Sequence, residues 1–127
     1  MSVTGDVLFK RGHKWNAGTF NLCFSVVGNL ELRENSSGRL IWESGTSGGA
    51  KLAMQADGNL VIYAVDDAPL WASNTEGNPG AVLRLQSDGA LVIRSAEGHL
   101  LWSTGVTKTK PARGSFSKNL RFRQEPT

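Results

Sequence analysis

Apolar and polar residues alternate along three short stretches of this chain, and a period of two is typical of a β-strand with one buried face. The middle stretch, LAMQADGNLVIY, runs from residue 52 to residue 63. Its alternation places one apolar set on the face that we expect to be buried, namely Leu52, Met54, Leu60 and Ile62. The dipeptide Asp57-Gly58 lies between the two halves and predicts a two-residue hairpin turn. The stretch therefore predicts two antiparallel strands joined by a tight turn.

The same pattern occurs three times. The segments FSVVGNLELR (24–33), MQADGNLVIY (54–63) and LQSDGALVIR (85–94) align without gaps, and each is followed by a polar turn and a tryptophan segment. The predicted inward residues of the outer two copies are Phe20, Leu22, Phe24, Leu30 and Leu32 in the first, and Leu83, Leu85, Leu91 and Ile93 in the third. A threefold internal repeat indicates a fold built from three like units.

The spacing of the tryptophans favours a prism. Trp42, Trp71 and Trp102 follow the three copies at near-equal intervals. One small sheet cannot bury its apolar face alone, but three small antiparallel sheets around a common axis can, with the tryptophans filling that axis. We therefore predict an all-β fold with pseudo-threefold symmetry. Residues 70–73 read as a third strand of the middle repeat, and the opening segment around Trp15 as a further strand. An ordinary sandwich or barrel would leave the tryptophan spacing unexplained.

The outward face of the middle repeat is the best candidate for chemistry. It carries five residues at alternate positions: Gln55, Asp57, Asn59, Val61 and Tyr63. A carboxylate, two amides and a phenol offer donors and acceptors at fixed positions, which suits the hydroxyls of a sugar ring. The valine adds a small apolar patch for the C–H face of that ring. An Asp-Gly turn alone would explain Asp57, and Asn59 is also common near turns, but turn chemistry explains neither Gln55 nor Tyr63.

This spacing resembles a known family motif. Gln55-x-Asp57-x-Asn59-x-Val61-x-Tyr63 is similar to the QxDxNxVxY motif of the bulb-type mannose-binding lectins, and the likeness extends over about residues 5–106. The resemblance implies a β-prism II fold. It also implies that Asp57 and Asn59 hold the 2-hydroxyl of mannose. Gln55 would then hold the 3-hydroxyl and Tyr63 the 4-hydroxyl, while Val61 packs against the ring.

The other two copies depart from the motif. The third repeat keeps Gln86, Asp88 and Val92, but it has Ala90 in place of the asparagine and Arg94 in place of the tyrosine. We expect a degenerate second site there. The first repeat keeps only the asparagine, at position 29, so we expect no sugar site on it. The sequence thus predicts one complete site, one damaged site and one that has been lost.

Charge divides the chain into two parts. Residues 106–127 carry six Lys or Arg against one Glu, whereas residues 1–105 carry eight against ten acidic residues. We expect a lectin domain at residues 1–106 and a basic extension at residues 107–127. The extension reads either as a flexible tail or, from the alternation in SFSKNLRFR, as an additional or exchanged strand. Plant members of the family dimerise through such an exchange, so the resemblance implies a homodimer. Binding of nucleic acid by this segment is the weakest interpretation and is not expected.

Several function classes have no support in the sequence. Cys23 is the only cysteine, so no intrachain disulfide can form, and neither His13 nor His99 stands in a catalytic or metal-ligand spacing with it. We expect a non-enzymatic protein without a cofactor or metal. No apolar run approaches the roughly 18 residues of a membrane span, and no signal peptide is visible, so we expect a cytoplasmic or unconventionally secreted protein. The alternative to sugar binding is a prism scaffold used for protein contacts, in self-association, cytoskeletal binding or antibacterial action.

Overall fold

The computed structural model describes residues 1–105, and the predicted extension at residues 107–127 lies outside the described residues. The described part consists of twelve β-strands without an α-helix. Their bounds are β1 Ser2–Thr4, β2 Val7–Lys10, β3 Lys14–Ala17, β4 Phe20–Phe24, β5 Leu30–Glu34, β6 Leu40–Glu43, β7 Gly49–Met54, β8 Leu60–Ala64, β9 Pro69–Ala72, β10 Val82–Leu85, β11 Leu91–Arg94 and β12 Leu100–Ser103. The third strand of the middle repeat thus begins and ends one residue earlier than predicted. No helix in residues 1–105 is long and apolar enough to span a membrane.

The strands form three four-stranded antiparallel sheets, one for each repeat. The first sheet has the order β3-β4-β5-β6, the middle sheet β2-β7-β8-β9 and the third sheet β1-β10-β11-β12. The further strand predicted from the opening segment around Trp15 is present as β3. That segment supplies three short strands, and each one pairs with the edge of a different sheet.

The inward faces meet in one hydrophobic core. Every residue that the alternation placed inward is buried, and eleven of the thirteen are less than 2% exposed. The periodicity of the three repeats therefore identified the core correctly. The opposite surface of each sheet is called the first, middle or third face below, after its repeat.

The three repeated tryptophans come together, as the spacing predicted. Their ring centroids are 5.5–5.7 Å apart, and each pair packs edge to face. They pack against the core but are only partly buried. Trp15 belongs to a separate cluster, in which it contacts Phe9 and His13. The three tryptophans therefore form a partly exposed cluster against the core and do not fill a fully enclosed axis.

The hairpin turns are one residue longer than predicted. In the middle repeat the Gly58 N–H donates to the Gln55 carbonyl over 3.0 Å, and the Gln55 N–H donates to the Asn59 carbonyl over 2.9 Å. Residues 56–58 therefore form a three-residue loop. Gly58 has φ of +93°, the left-handed conformation that such a loop requires at its last position.

The first and middle turns are each held by the segment that leads to the next repeat. In the first repeat the Gly48 N–H donates to the Val27 carbonyl over 2.9 Å, and Thr46 Oγ1 donates to the Gly28 carbonyl over 2.7 Å. Gly28 lies so close to Gly49 that a Cβ on it would overlap the Gly49 backbone. This docking fixes the turns, which carry the candidate site, relative to the core.

Candidate functional site

The five predicted residues lie on or beside one hairpin of the middle sheet. Gln55 follows β7, Asp57 is in the turn and Asn59 precedes β8, while Val61 and Tyr63 belong to β8. Because β7 and β8 are joined in a hairpin, the side chains at alternate positions of this short sequence lie on the same face of the sheet. Each side chain then has a different local environment.

Gln55 and Tyr63 are joined by a hydrogen bond. Gln55 Nε2 donates to Tyr63 Oη over 2.5 Å, and both side chains are half-buried. Both also line a groove of about 410 Å³ that runs over β7 toward Leu8 on the edge strand β2. Because the tyrosine oxygen accepts this bond, its own O–H remains available to donate to a ligand.

Asn59 lies on the outward face, and its side-chain oxygen also makes hydrogen bonds within the protein. Its Oδ1 accepts from Ser73 Oγ and from the Thr75 N–H, each over 3.2 Å. Among residues 1–105 no acceptor contacts Asn59 Nδ2. The oxygen therefore ties the start of β8 to the loop after β9, while the amide hydrogens can serve a ligand.

Asp57 is held in place by backbone contacts. Its Oδ1 accepts from the Asn59 N–H over 3.0 Å, and its carbonyl accepts from the Asn78 N–H over 2.9 Å. Thr75 Oγ1 donates to the Gly58 carbonyl over 2.6 Å. The turn is thereby fixed before any ligand arrives, which lowers the entropic cost of binding.

Val61 differs from the prediction. It is on the middle face, but it is 3% exposed, in register with Ala53 on β7 and Ala72 on β9. The exposed apolar patch predicted at this position is therefore nearly absent. Val61 forms the floor beneath the polar groups.

Lys51 and Asp67 form an ion pair at the far side of the same groove. Asp67 has φ of +67° in the turn before β9. Neither residue was identified from the sequence. Lys51 lies on the outward side of β7, two residues before Ala53, and that alternation is the signal that could have included it.

The third repeat builds the same turn without the same side chains. The Gln86 N–H donates to the Ala90 carbonyl over 2.9 Å, and Asp88 Oδ1 accepts from the Ala90 N–H over 3.0 Å. Val92 is 3% exposed, like Val61. Gln86, Asp88 and Val92 thus occupy the positions expected of them, and among the five motif positions only Ala90 and Arg94 differ.

On the first face, the side-chain amide of Asn29 makes hydrogen bonds within the protein through both its oxygen and its nitrogen. Asn29 Oδ1 accepts from Ser44 Oγ and from the Thr46 N–H, each over 3.0 Å, as Asn59 does in the middle repeat. Its Nδ2, however, donates to Glu31 Oε2 over 3.2 Å and to Glu43 Oε1 over 2.7 Å. Both the oxygen and the nitrogen of the Asn29 side-chain amide are therefore hydrogen-bonded within the protein.

A metal site has no support in this part of the chain. Among residues 1–105 no three His, Cys, Asp or Glu side chains are grouped so that they could hold a metal ion. Cys23 is a half-buried residue of β4, opposite Lys14 and Glu31.

No family model and no curated protein matches the sequence, whereas solved structures resemble it over most of its length. Monomeric monocot mannose-binding lectins from Gastrodia elata are 32% identical, with a TM-score of 0.73 over 84% of this chain and 97% of that chain. The mannose-specific agglutinin from snowdrop (Galanthus nivalis) bulbs, solved with methyl-α-D-mannoside, is 30% identical, with a TM-score of 0.66 over 92% of this chain and 98% of that chain.

A lectin from Marasmius oreades shares the fold, with a TM-score of 0.76 over 84% of this chain and 91% of that chain at 24% identity. These neighbours are lectins, and the predicted all-β, β-prism II fold is confirmed. The identity to the Gastrodia and snowdrop proteins, spread over nearly their whole length, goes beyond a common fold. The chain therefore belongs to the bulb-type mannose-binding lectin family.

Proposed function

We propose that the protein binds terminal mannose of glycans through the middle face. The observation that carries the proposal is Asn59, whose oxygen is satisfied by Ser73 and Thr75 while its amide hydrogens have no acceptor in residues 1–105. A donor fixed in this way is ready to meet a sugar hydroxyl. Asp57 on the adjacent turn supplies a carboxylate acceptor.

The proposed contacts use each group once. Asp57 and Asn59 together hold the axial 2-hydroxyl, one accepting and the other donating, which favours mannose over glucose. Gln55 and Tyr63 hold the 3- and 4-hydroxyls. Their mutual hydrogen bond of 2.5 Å fixes the two groups relative to each other before the sugar arrives. Val61 supports the site from below and presents little surface to the ring.

One such site binds weakly, because few atoms contact the sugar and water competes for every hydroxyl. We propose that the protein reaches useful avidity as a homodimer, in which two middle faces bind one branched glycan. Sedimentation measured with and without a mannose-rich glycan tests this, and a monomer under both conditions would contradict it.

The alternative, a scaffold for protein contacts, has one observation in its favour. Val26 and Val27, at the turn of the first repeat, are 76% and 57% exposed. That turn carries none of the proposed sugar contacts, so the two uses are compatible. A sugar titration that gives no binding, with the protein folded, would leave the scaffold as the better account.

Asn59→Asp separates the ligand contact from the structural one. The new carboxylate keeps an acceptor for Ser73 and Thr75, but it replaces the amide donor with an acceptor and sets a second negative charge beside Asp57. We expect the affinity for methyl-α-D-mannoside to fall at least about tenfold, which is about 1.4 kcal/mol. The reason is that the oxygen of the sugar hydroxyl would face two carboxylates and would no longer accept a hydrogen bond from the amide. Isothermal titration calorimetry measures this.

Asn16→Asp is the matched control, because it makes the same chemical change at an exposed residue of β3 on the first sheet. It should leave mannose binding unchanged. Combining Asn59→Asp with Tyr63→Phe should remove detectable binding while the circular dichroism spectrum is retained. Undiminished binding by this double variant would refute the assignment of the middle face.

Restoring two residues should give the third face a mannose site. Ala90→Asn with Arg94→Tyr returns the missing amide and phenol to a turn that already has the correct hydrogen bonds. Thr104 Oγ1 accepts from the Leu91 N–H over 3.0 Å, as Ser73 Oγ does from Leu60, so the hydroxyl is placed to donate to the amide introduced at position 90. In NMR titrations we expect mannoside-dependent shifts at residues 86–90 as well as at 55–59, and about twice the stoichiometry per chain. Shifts at residues 55–59 alone in a folded variant would show that two substitutions do not explain the loss.

A further inference from the structure

The third face carries two arginines on adjacent strands. Arg84 on β10 is paired in register with Val92 on β11, and Arg94 lies two residues further along β11. Diagonal neighbours of this kind are about 7–8 Å apart, within mutual reach of long side chains. Both arginines line a groove of about 170 Å³. The position of Arg94 corresponds to Tyr63 of the middle repeat, and that of Arg84 corresponds to Ala53.

Comparison with the first face shows that Arg94 lacks, within residues 1–105, the ion pair that its equivalent makes. Arg33, the equivalent residue, donates from Nη1 to the Gly38 carbonyl over 2.8 Å and forms an ion pair with Glu31 at 3.3 Å. Arg94 makes the corresponding contact from Nη1 to the Gly98 carbonyl, over 3.3 Å. Val92 occupies the position of Glu31, so Arg94 has no acidic partner in residues 1–105. The backbone contact therefore orients a guanidinium whose remaining N–H groups are available.

Comparison with the middle face shows the same change of charge. There the groove holds the Lys51–Asp67 ion pair, which is neutral as a unit. Under the repeat alignment the third repeat has Val82 in place of Lys51 and Gly98 in place of Asp67. The third repeat therefore has no acidic residue at the position of Asp67, and it has Arg84 as a second cation beside Arg94. Within residues 1–105 the Arg84 guanidinium forms neither a hydrogen bond nor an ion pair.

Arg84 also borders a second depression, of about 510 Å³, on the side toward the turn. Gln86 and Asp88 line that depression. Both are polar groups that the third repeat shares with the middle site. The third face therefore places two guanidinium groups, neither of which has an acidic partner within residues 1–105, beside polar groups of the kind that hold sugar hydroxyls.

We propose that the third face is a second saccharide site, specific for sugars that carry a carboxylate, such as uronic or sialic acids. Guanidinium groups bind carboxylates through paired N–H donors. In this arrangement Arg84 and Arg94 bind the carboxylate, and the ring extends over the depression toward Gln86 and Asp88. The proposal goes beyond mannose recognition and does not depend on it, since the two faces belong to different sheets.

The test compares two sugars that differ only in the charged group. Methyl β-D-glucuronide and methyl β-D-glucoside share every ring hydroxyl, so their difference isolates the carboxylate. NMR titration of the isotope-labelled full chain, which resolves the side-chain Nε–H signals of arginine, shows where each sugar binds. We expect the glucuronide to shift the Arg84 and Arg94 signals with at least tenfold higher affinity than the glucoside. The N-acetylneuraminic acid methyl glycoside, run in parallel, shows which acidic sugar is preferred.

The variants Arg84→Gln and Arg94→Gln should each weaken glucuronide binding at least threefold and leave methyl-α-D-mannoside binding unchanged. Arg33→Gln on the first face is the control and should change neither titration. The basic residues of 106–127 are the same in all these variants, so their contribution cancels. Equal binding of glucuronide and glucoside, or glucuronide binding that is undiminished in the Arg84→Gln/Arg94→Gln double variant, would overturn the proposal. So would inorganic sulfate matching the glucuronide in affinity, because the site would then bind anions and not sugars. Normal mannoside binding in these samples would leave the middle-face proposal standing in each case.

Discussion

Gly28→Ala should destabilise the protein by at least about 3 kcal/mol. Gly28 has φ of +82°, and an alanine held in that conformation costs of order 1–3 kcal/mol by itself. In addition, the new Cβ would overlap backbone atoms of Gly49, which cannot move aside as the end of a flexible side chain can. The first turn would have to leave the segment that leads to the middle repeat, and the hydrogen bonds of Val27 and Gly28 to that segment would be lost.

Gly38→Ala is the matched control. Gly38 has φ of +72°, and no atom lies within 4 Å of the position that a Cβ would occupy. The substitution there has only the cost of placing an alanine in the left-handed conformation, of order 1–3 kcal/mol, without the overlap with backbone atoms. Urea unfolding of the two variants gives the difference in the free energy of unfolding, which measures the close approach of the two glycines. Equal values for the two variants would mean that the turn moves away from Gly49 without cost.

Trp71→Ala should cost roughly 2–4 kcal/mol. Substitution of a fully buried tryptophan by alanine costs about 3–5 kcal/mol, and the partial exposure of this ring lowers the value. Trp71 packs edge to face against Trp42 at 5.7 Å and against Trp102 at 5.6 Å, so its removal also breaks two aromatic contacts, each worth about 0.5–1.5 kcal/mol. Calorimetry should show a melting temperature lower by about 10 °C or more.

Leu70→Ala provides the comparison for Trp71→Ala, because Leu70 is the preceding residue of β9 and is 41% exposed. It should cost less than about 1 kcal/mol. The double variant Trp42→Ala/Trp71→Ala should cost less than the sum of the two single changes, since each removes the same contact. A melting temperature of Trp71→Ala within two degrees of the parent would show that the cluster of three tryptophans contributes little to stability.

The fold was largely predictable because a period of two, repeated three times, specifies both the strands and their buried side. Leu52, Met54, Leu60 and Ile62 could be assigned to the core from alternation alone, and all are fully buried. The opening segment was not predictable in the same way. Its three strands have three or four residues each, too short for a pattern to show which sheet each one joins.

The candidate site was predictable in its membership but not in its internal contacts. The positions of Gln55, Asp57, Asn59 and Tyr63 follow from the hairpin. The use of the Asn59 oxygen by Ser73 and Thr75 depends on residues 14 and 16 positions away in the chain, which no local pattern connects. The burial of Val61 likewise depends on the small neighbours that other strands place beside it in register.

The three edge strands also determine how the chain can reach its folded state. Ser2 pairs with Arg84, so β1 has no partner strand until about two thirds of the chain has been synthesised. Pairings of such large sequence separation are slow to form, and the opening 17 residues contribute to every sheet at once. We infer that the repeats gain their stability together, unlike the units of a linear solenoid, which add one after another. A chain that lacked residues 1–17 would expose an unpaired strand edge on all three sheets, and exposed edges of this kind lead to aggregation.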